Sequence, residues 1–125
     1  MYKYHREHTW VKMDGDAAVI GLTFYAQAHL GEIVYVELPV PGDEVLADGV
    51  LGGIESAKTT SEMIAPVSGR IIESNSELET KPDLINESPL EDGWVTRVRP
   101  LKPSQIDDLM DQEAYGAYLE GLAEE

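Results

Sequence analysis

Turn-forming residues interrupt this chain so often that no long element fits between Thr9 and Val98. Asp14-Gly15, Pro39 to Gly42, Asp48-Gly49, Pro66 to Gly69 and Asp92-Gly93 each place a glycine or proline where a helix or strand must stop. Between these stops lie short runs rich in β-branched and aromatic residues. Thr9–Met13 and Ala17–Ile20 flank Asp14-Gly15, a strong hairpin signal. Ile33–Leu38 reads as a strand with Val34, Val36 and Leu38 on one face. Glu44–Leu46, Val50–Ile54, Glu62–Ile64, Arg70–Glu73 and Trp94–Val98 read as further strands. Many short strands joined by tight turns imply an antiparallel sandwich or flattened barrel.

Three segments depart from this rhythm. Thr23 is placed to cap a short helix over Phe24–Leu30, which Gly31 ends. Lys81–Ile85 suits a single helical turn with Pro82 at its first position. The tail changes period altogether. Pro103 and Ser104 open a helix with Ser104 as cap and Asp107 three residues on, and Ile106, Leu109 and Met110 share a face. Tyr115, Tyr118, Leu119 and Leu122 then follow helical spacing. No linker divides the chain. The expected organisation is one domain over residues 1–125, with a β core at about 9–99 and a helical tail at about 104–123.

Composition limits the partners. Hydrophobic residues make up 42% of the 125 residues, sufficient for one core. Acidic residues number 24 and basic residues 9, a net charge of −15. Such a surface repels nucleic acid and anionic membrane and suits protein partners with basic faces. Without cysteine, any redox chemistry must arrive with a cofactor. Met1 to Arg6 lack the apolar stretch of a signal peptide and no run is long enough to span a bilayer, so a cytoplasmic address is expected.

Against that charge, Lys58 is conspicuous as the only lysine or arginine between Lys12 and Arg70. It is a phosphate contact, an ordinary surface residue, or an amine for covalent modification. Gly52 to Thr59 nearly fits a phosphate-binding loop, but Ala57 stands where that loop requires glycine, Glu55 would set a carboxylate among phosphate oxygens, and a strand pattern follows where a helix is needed. Strand patterns before and after instead place Lys58 near the tip of a β-hairpin, accessible on a rigid base.

The run Glu55-Ser56-Ala57-Lys58-Thr59-Thr60-Ser61-Glu62, followed by Ala65-Pro66-Val67-Ser68-Gly69, resembles the lipoyl-attachment segment of the glycine cleavage system H-protein family. The resemblance extends in order through His8-Thr9-Trp10-Val11, Ile20 to Thr23, Tyr25-Ala26-Gln27, Leu30 to Val34, Glu37-Leu38-Pro39, Leu84-Ile85-Asn86, Ser88-Pro89 and Gly93-Trp94. Biotinyl domains usually set methionine on both sides of the lysine, whereas Ala57 and Thr59 stand here.

The resemblance implies a β fold of the biotinyl/lipoyl barrel-sandwich type and a carrier without catalysis of its own. Lys58 would bear lipoic acid as N6-lipoyllysine. The arm would take an aminomethyl group from glycine decarboxylase (P protein) to aminomethyltransferase (T protein), with dihydrolipoamide dehydrogenase (L protein) reoxidising the dithiol and a lipoyl-attaching enzyme installing the group. Glu55 and Glu62 would help that enzyme recognise the segment. The loaded arm would fold against a surface near His8 and Trp10, although Trp10 equally suits a core position. Relatives commonly carry glutamate where Thr9 stands, and Glu7 or Glu62 would have to supply that charge. An H-like protein relaying lipoyl or octanoyl groups would look the same, and an unmodified acidic interaction module is the alternative of a different class. His5, His8 and His29 show no metal-ligand spacing.

Overall fold

A computed structural model describes residues 1–123. Its strands are β1 (Tyr2–Tyr4), β2 (Thr9–Asp14), β3 (Ala17–Leu22), β4 (Ile33–Glu37), β5 (Glu44–Val45), β6 (Val50–Ser56), β7 (Thr60–Ile64), β8 (Gly69–Ser74) and β9 (Thr96–Pro100). They form a six-stranded sheet in the order β1-β2-β3-β9-β8-β5 and a three-stranded sheet in the order β4-β6-β7. All pairings are antiparallel. Residues from both sheets, among them Val11, Ile20, Ile54, Met63 and Val98, share one core with Ile85 of a short helix. This is the sandwich architecture the turn rhythm implies.

Local chemistry accounts for the elements. Gly15, at φ +65°, turns the β2–β3 hairpin. Helix α1 (Phe24–Leu30) starts at Thr23, whose hydroxyl accepts from the Ala26 N–H, and ends where the Gly31 N–H donates to the Gln27 carbonyl. Helices α2 (Leu84–Glu87), α3 (Ser104–Asp107) and α4 (Gln112–Ala123) complete the described chain. Asp111 caps α4, accepting from the Ala114 N–H at 2.8 Å.

A second cluster fastens α4 to the sheet. Tyr4 stacks on Tyr115 at 4.7 Å between ring centres. Trp10 is 1% exposed, meets Tyr2 edge-on and donates its indole N–H to the Pro89 carbonyl at 2.9 Å. A side chain at Gly21 would fall 2.7 Å from the Trp10 ring, so that glycine makes room for the indole. Trp10 is therefore a core aromatic.

Several boundaries differ from the sequence reading. Val34 does not share a face with Val36, because a β-bulge between Ile33 and Tyr35 turns Val34 and Tyr35 outward while Ile33 and Val36 stay buried. Ser104 is not a cap. Pro103 stands at the cap position, already in helical conformation, and no side chain caps the end. The turn expected over Lys81–Ile85 becomes helix at Leu84, with Pro82 ahead of it. The last strand begins at Thr96, and ahead of it the Asn75 amide donates to the carbonyls of Asp92 and Trp94. Strand β1 and a 3₁₀ turn at Ser76–Glu79 had no counterpart in the sequence reading.

Candidate functional site

Strands β6 and β7 form a hairpin, the finger, paired from Gly52 opposite Met63 to Glu55 opposite Thr60 after a register shift between Val50 and Gly52, and β4 flanks β6 on its other edge as far as Ser56. Its glycines belong to the strand. A side chain at Gly52 would collide with the Glu37 carbonyl and the Met63 methyl group. Gly52 thus permits close packing of neighbouring strands, and the near-match to a phosphate loop has no loop to occupy.

Ser56, 5% exposed, organises the tip. Its N–H donates to the Thr59 carbonyl at 2.8 Å, and its hydroxyl accepts from the Thr59 N–H at 3.2 Å. Lys58 projects from this turn, exposed, and among the described residues enters no ion pair. The turn is attached to the α1–β4 corner, where the Ala57 N–H donates to the Glu32 carbonyl at 2.9 Å. The lysine stem lies over Gly31: a Cβ built there would stand 3.5 Å from Lys58 Cε. Gly31 has φ +81°, ψ −157°, a conformation that side-chain-bearing residues avoid.

Beside the finger, a cavity of about 200 Å³ opens between α1, the β1–β2 connection and β7. Its apolar wall comes from Tyr25, Ala26, Leu30, Ile54 and Met63, and its polar margin from Glu7, His8, His29, Ser61 and Glu62. Tyr25 and His29 stack at 4.0 Å, with the His8 ring 4.4 Å from Tyr25.

His8 holds this wall to the tail. It adopts φ +71° and shares a 2.8 Å hydrogen bond, through Nδ1, with the Tyr115 hydroxyl. That hydroxyl also meets Thr23 Oγ1 at 2.8 Å, so one phenol joins the cavity wall, α4 and the cap of α1. Burial pushes the His8 imidazole below its ordinary value; the Glu7 carboxylate opposes the shift, and His29 and His5 add to it. Burial raises the Tyr115 phenol to about 12 against the opposing Thr23 hydrogen bond, so it keeps its proton.

The other singled-out residues fall in distinct places. Thr9 is 1% exposed and donates its hydroxyl to the Ile64 carbonyl at 2.8 Å, so position 9 faces the interior and not the cavity. Glu7 and Glu62 are the carboxylates that line the cavity. His5 is buried and bonds Asp48 at 2.6 Å, while accepting the Glu7 N–H on Nδ1. Hydrogen bonding from His5 is the main cause that holds the Asp48 carboxyl below its usual range. Among the described residues, His29 bonds only the Tyr25 carbonyl within its own helix. The Pro66–Gly69 turn is buried, and Gln105 of α3 accepts the Ser68 N–H at 2.8 Å.

Sequence reasoning missed Gly31, Asn86 as a structural residue, and the Tyr115 hydroxyl. Gly31 carried a signal as a helix stop. The other two depend on contacts across more than 50 residues, which no local pattern encodes.

Comparison with known proteins gives a consistent result. Residues 2–121 match the family model for glycine cleavage H-protein. The chain is 51% identical over 113 residues to a glycine cleavage system H protein of Halalkalibacterium halodurans, covering 90% of this chain and 88% of the relative. It is 48% identical over 118 residues to a mitochondrial glycine cleavage system H protein of Oryza sativa subsp. indica, covering 94% and 72%. A crystal structure of a glycine cleavage system H protein from Mycobacterium marinum superposes with a TM-score of 0.84 at 32% identity, covering 93% of this chain and 94% of that one.

Proposed function

Because this chain belongs to the glycine cleavage H-protein family, we propose that Lys58 is the residue through which it serves as a lipoyl carrier in glycine cleavage. The observation that supports this choice is the exposed amine at the tip of the β6–β7 hairpin, free of ion pairs among the described residues. The residues fit an amide-linked arm. The small and hydroxylated neighbours Ala57 and Thr59 leave the nitrogen open, and Gly31 leaves the stem a bare backbone to cross. When bound, lipoic acid supplies the sulfur pair that accepts the aminomethyl group produced by glycine decarboxylase, yields it to aminomethyltransferase and is returned to the disulfide by dihydrolipoamide dehydrogenase.

The chain's own residues position, shelter and balance charge. The finger fixes the pivot while the side chain beyond it stays mobile, so a docked partner meets the tethered group at an effective concentration of order millimolar. The cavity beside the finger offers apolar cover from Tyr25, Leu30, Ile54 and Met63, and water is excluded where an arm lies against them. The carboxylates of Glu7 and Glu62 stand at its margin, placed to hold a protonated amine in the role that glutamate at position 9 would fill in relatives. Amide formation removes the Lys58 charge and takes the formal net charge from −15 to −16 (one positive charge lost). Partners then meet an acidic face with a neutral arm. We read the protein as a carrier that leaves bond-making to its partners, in the cytoplasm; no described helix is long and apolar enough to cross a membrane.

Reconstituted glycine decarboxylation tests the assignment. Lipoylated wild type sustains turnover with the three partner enzymes, and Lys58→Ala does not. Lipoylated wild type that fails to sustain turnover, yet donates its lipoyl group to other acceptor domains, would instead identify a relay protein. Glu7→Gln is expected to take up lipoate normally, and both it and Glu62→Gln, compared with wild type at equal extents of lipoylation, are expected to retain the aminomethyl group for a shorter time, read as faster formaldehyde release.

A further inference from the structure

Asn86 lies on α2, remote from Lys58 in sequence, yet its amide is wholly committed to the corner on which the lysine turn hangs. Its Oδ1 accepts from the Ile33 N–H at 2.9 Å. Its Nδ2 donates to the Gly31 carbonyl at 2.8 Å and to Gln27 Oε1 at 3.0 Å. The orientation of the amide is dictated by its partners, since a backbone N–H can only donate and a carbonyl only accept. One side chain therefore grips the chain on both sides of Glu32. The Glu32 carbonyl between those grips accepts the Ala57 N–H, and Gly31 is the residue the Lys58 stem crosses. Leu30, next in sequence, lines the cavity.

We propose that Asn86 is a positioning residue for the lysine arm: by fixing Gly31 to Ile33 it sets the pivot and the direction in which the arm leaves toward the cavity. The inference rests on the reading of Lys58 as the carrier residue, but its first measurement does not. With Asn86 gone, the corner loses three hydrogen bonds while the β6–β7 ladder keeps its own. The lysine turn then swings about a softer hinge without the finger unfolding.

Asn75 provides a matched control. It too has a three-bond amide, to Asp92, Trp94 and Glu77, is more deeply buried than the half-buried Asn86, and lies outside the finger and the α1–β4 corner. Asn86→Ala, Asn75→Ala and wild type are compared by amide hydrogen exchange, with thermal unfolding to match stability. Asn86→Ala is expected to lower protection of the Ala57 N–H by about tenfold or more beyond the change at core amides such as Ile20, and Asn75→Ala to leave that difference unchanged. Lipoylated Asn86→Ala is expected to lose the aminomethyl group faster than wild type at equal extents of lipoylation. Should Asn86→Ala fold poorly, Asn86→Asp retains an acceptor for the Ile33 N–H and replaces the donors with a carboxylate oxygen that repels the Gly31 carbonyl; the same selective loss at Ala57 is expected. Equal protection of Ala57 in both alanine variants, or unchanged protection in Asn86→Asp, would overturn the proposal. If wild type takes up no lipoate, the carrier reading fails while the exchange comparison still decides the role of Asn86 in the turn.

Discussion

Thr9 shows how far one residue's chemistry depends on where its side chain points. Its hydroxyl is spent on the Ile64 carbonyl and its side chain has almost no contact with solvent. A carboxylate introduced there would be buried beside the Ile64 carbonyl. Thr9→Glu is expected to destabilise the fold by roughly 2 kcal/mol or more, measured by urea unfolding, rather than improve shelter for the arm. An unchanged midpoint would mean that position 9 can turn toward the cavity. At this scale the lysine was legible, since its isolation in the charge pattern needs no structure to notice. Glu7 was named as a substitute for a missing charge and Glu62 both for that and for recognition by the attaching enzyme, and the two carboxylates line the cavity. The Tyr115 hydroxyl was illegible because a helical stripe reveals which face packs and not which atom meets His8.

Elements were legible where a backbone rule applied locally. Asp14-Gly15 gave the hairpin, and Thr23 with Gly31 gave both ends of α1. They failed where a neighbour outside the segment decided the outcome. The alternation of Val34, Val36 and Leu38 looked regular, yet pairing with β6 shifts register by a bulge and expels Val34. The bulge predicts a contrast between two similar residues. Val34→Ser should change stability by no more than about 0.5 kcal/mol, as for an exposed site. Val36→Ser, at a position 5% exposed, should cost roughly 2 kcal/mol from lost burial and a hydroxyl placed in the core. Chemical denaturation of the pair checks it, and equal costs would place Val34 inside. Ser104 failed as a cap for a comparable reason: Pro103 is already helical, so the first turn begins one residue earlier than capping chemistry suggests.

At the scale of the whole molecule, the class of fold could be read from turn spacing, but strand order could not. Strand β5 joins β8 and β4 joins β6, so the finger carrying Lys58 belongs to the smaller sheet while its neighbours in sequence enter the larger one. Such long-range pairings are set by closure of the core and leave no mark in any short window. The tail is also a global matter, since Tyr115 links α4 to His8 and Thr23. This link gives stability a pH dependence. Burial lowers the His8 pKa in the folded state below the ordinary imidazole value of 6.5. The unfolded chain therefore binds more protons near that pH, and stability is lost as pH falls from above 6.5 toward the folded-state value. Wild type should lose more thermal stability than His8→Gln between about pH 7.5 and about pH 5.5, other groups titrating alike in both. Parallel losses would show that His8 titrates normally.

The assignment of Lys58 is tested most directly by incubating wild type and Lys58→Arg with a lipoate ligase, ATP and lipoate, then measuring intact and peptide masses. Wild type should gain a single lipoyl increment located on the peptide containing Lys58, while Lys58→Arg remains unmodified. A bare wild type, or an increment on Lys3, Lys12, Lys81 or Lys102, would contradict the account.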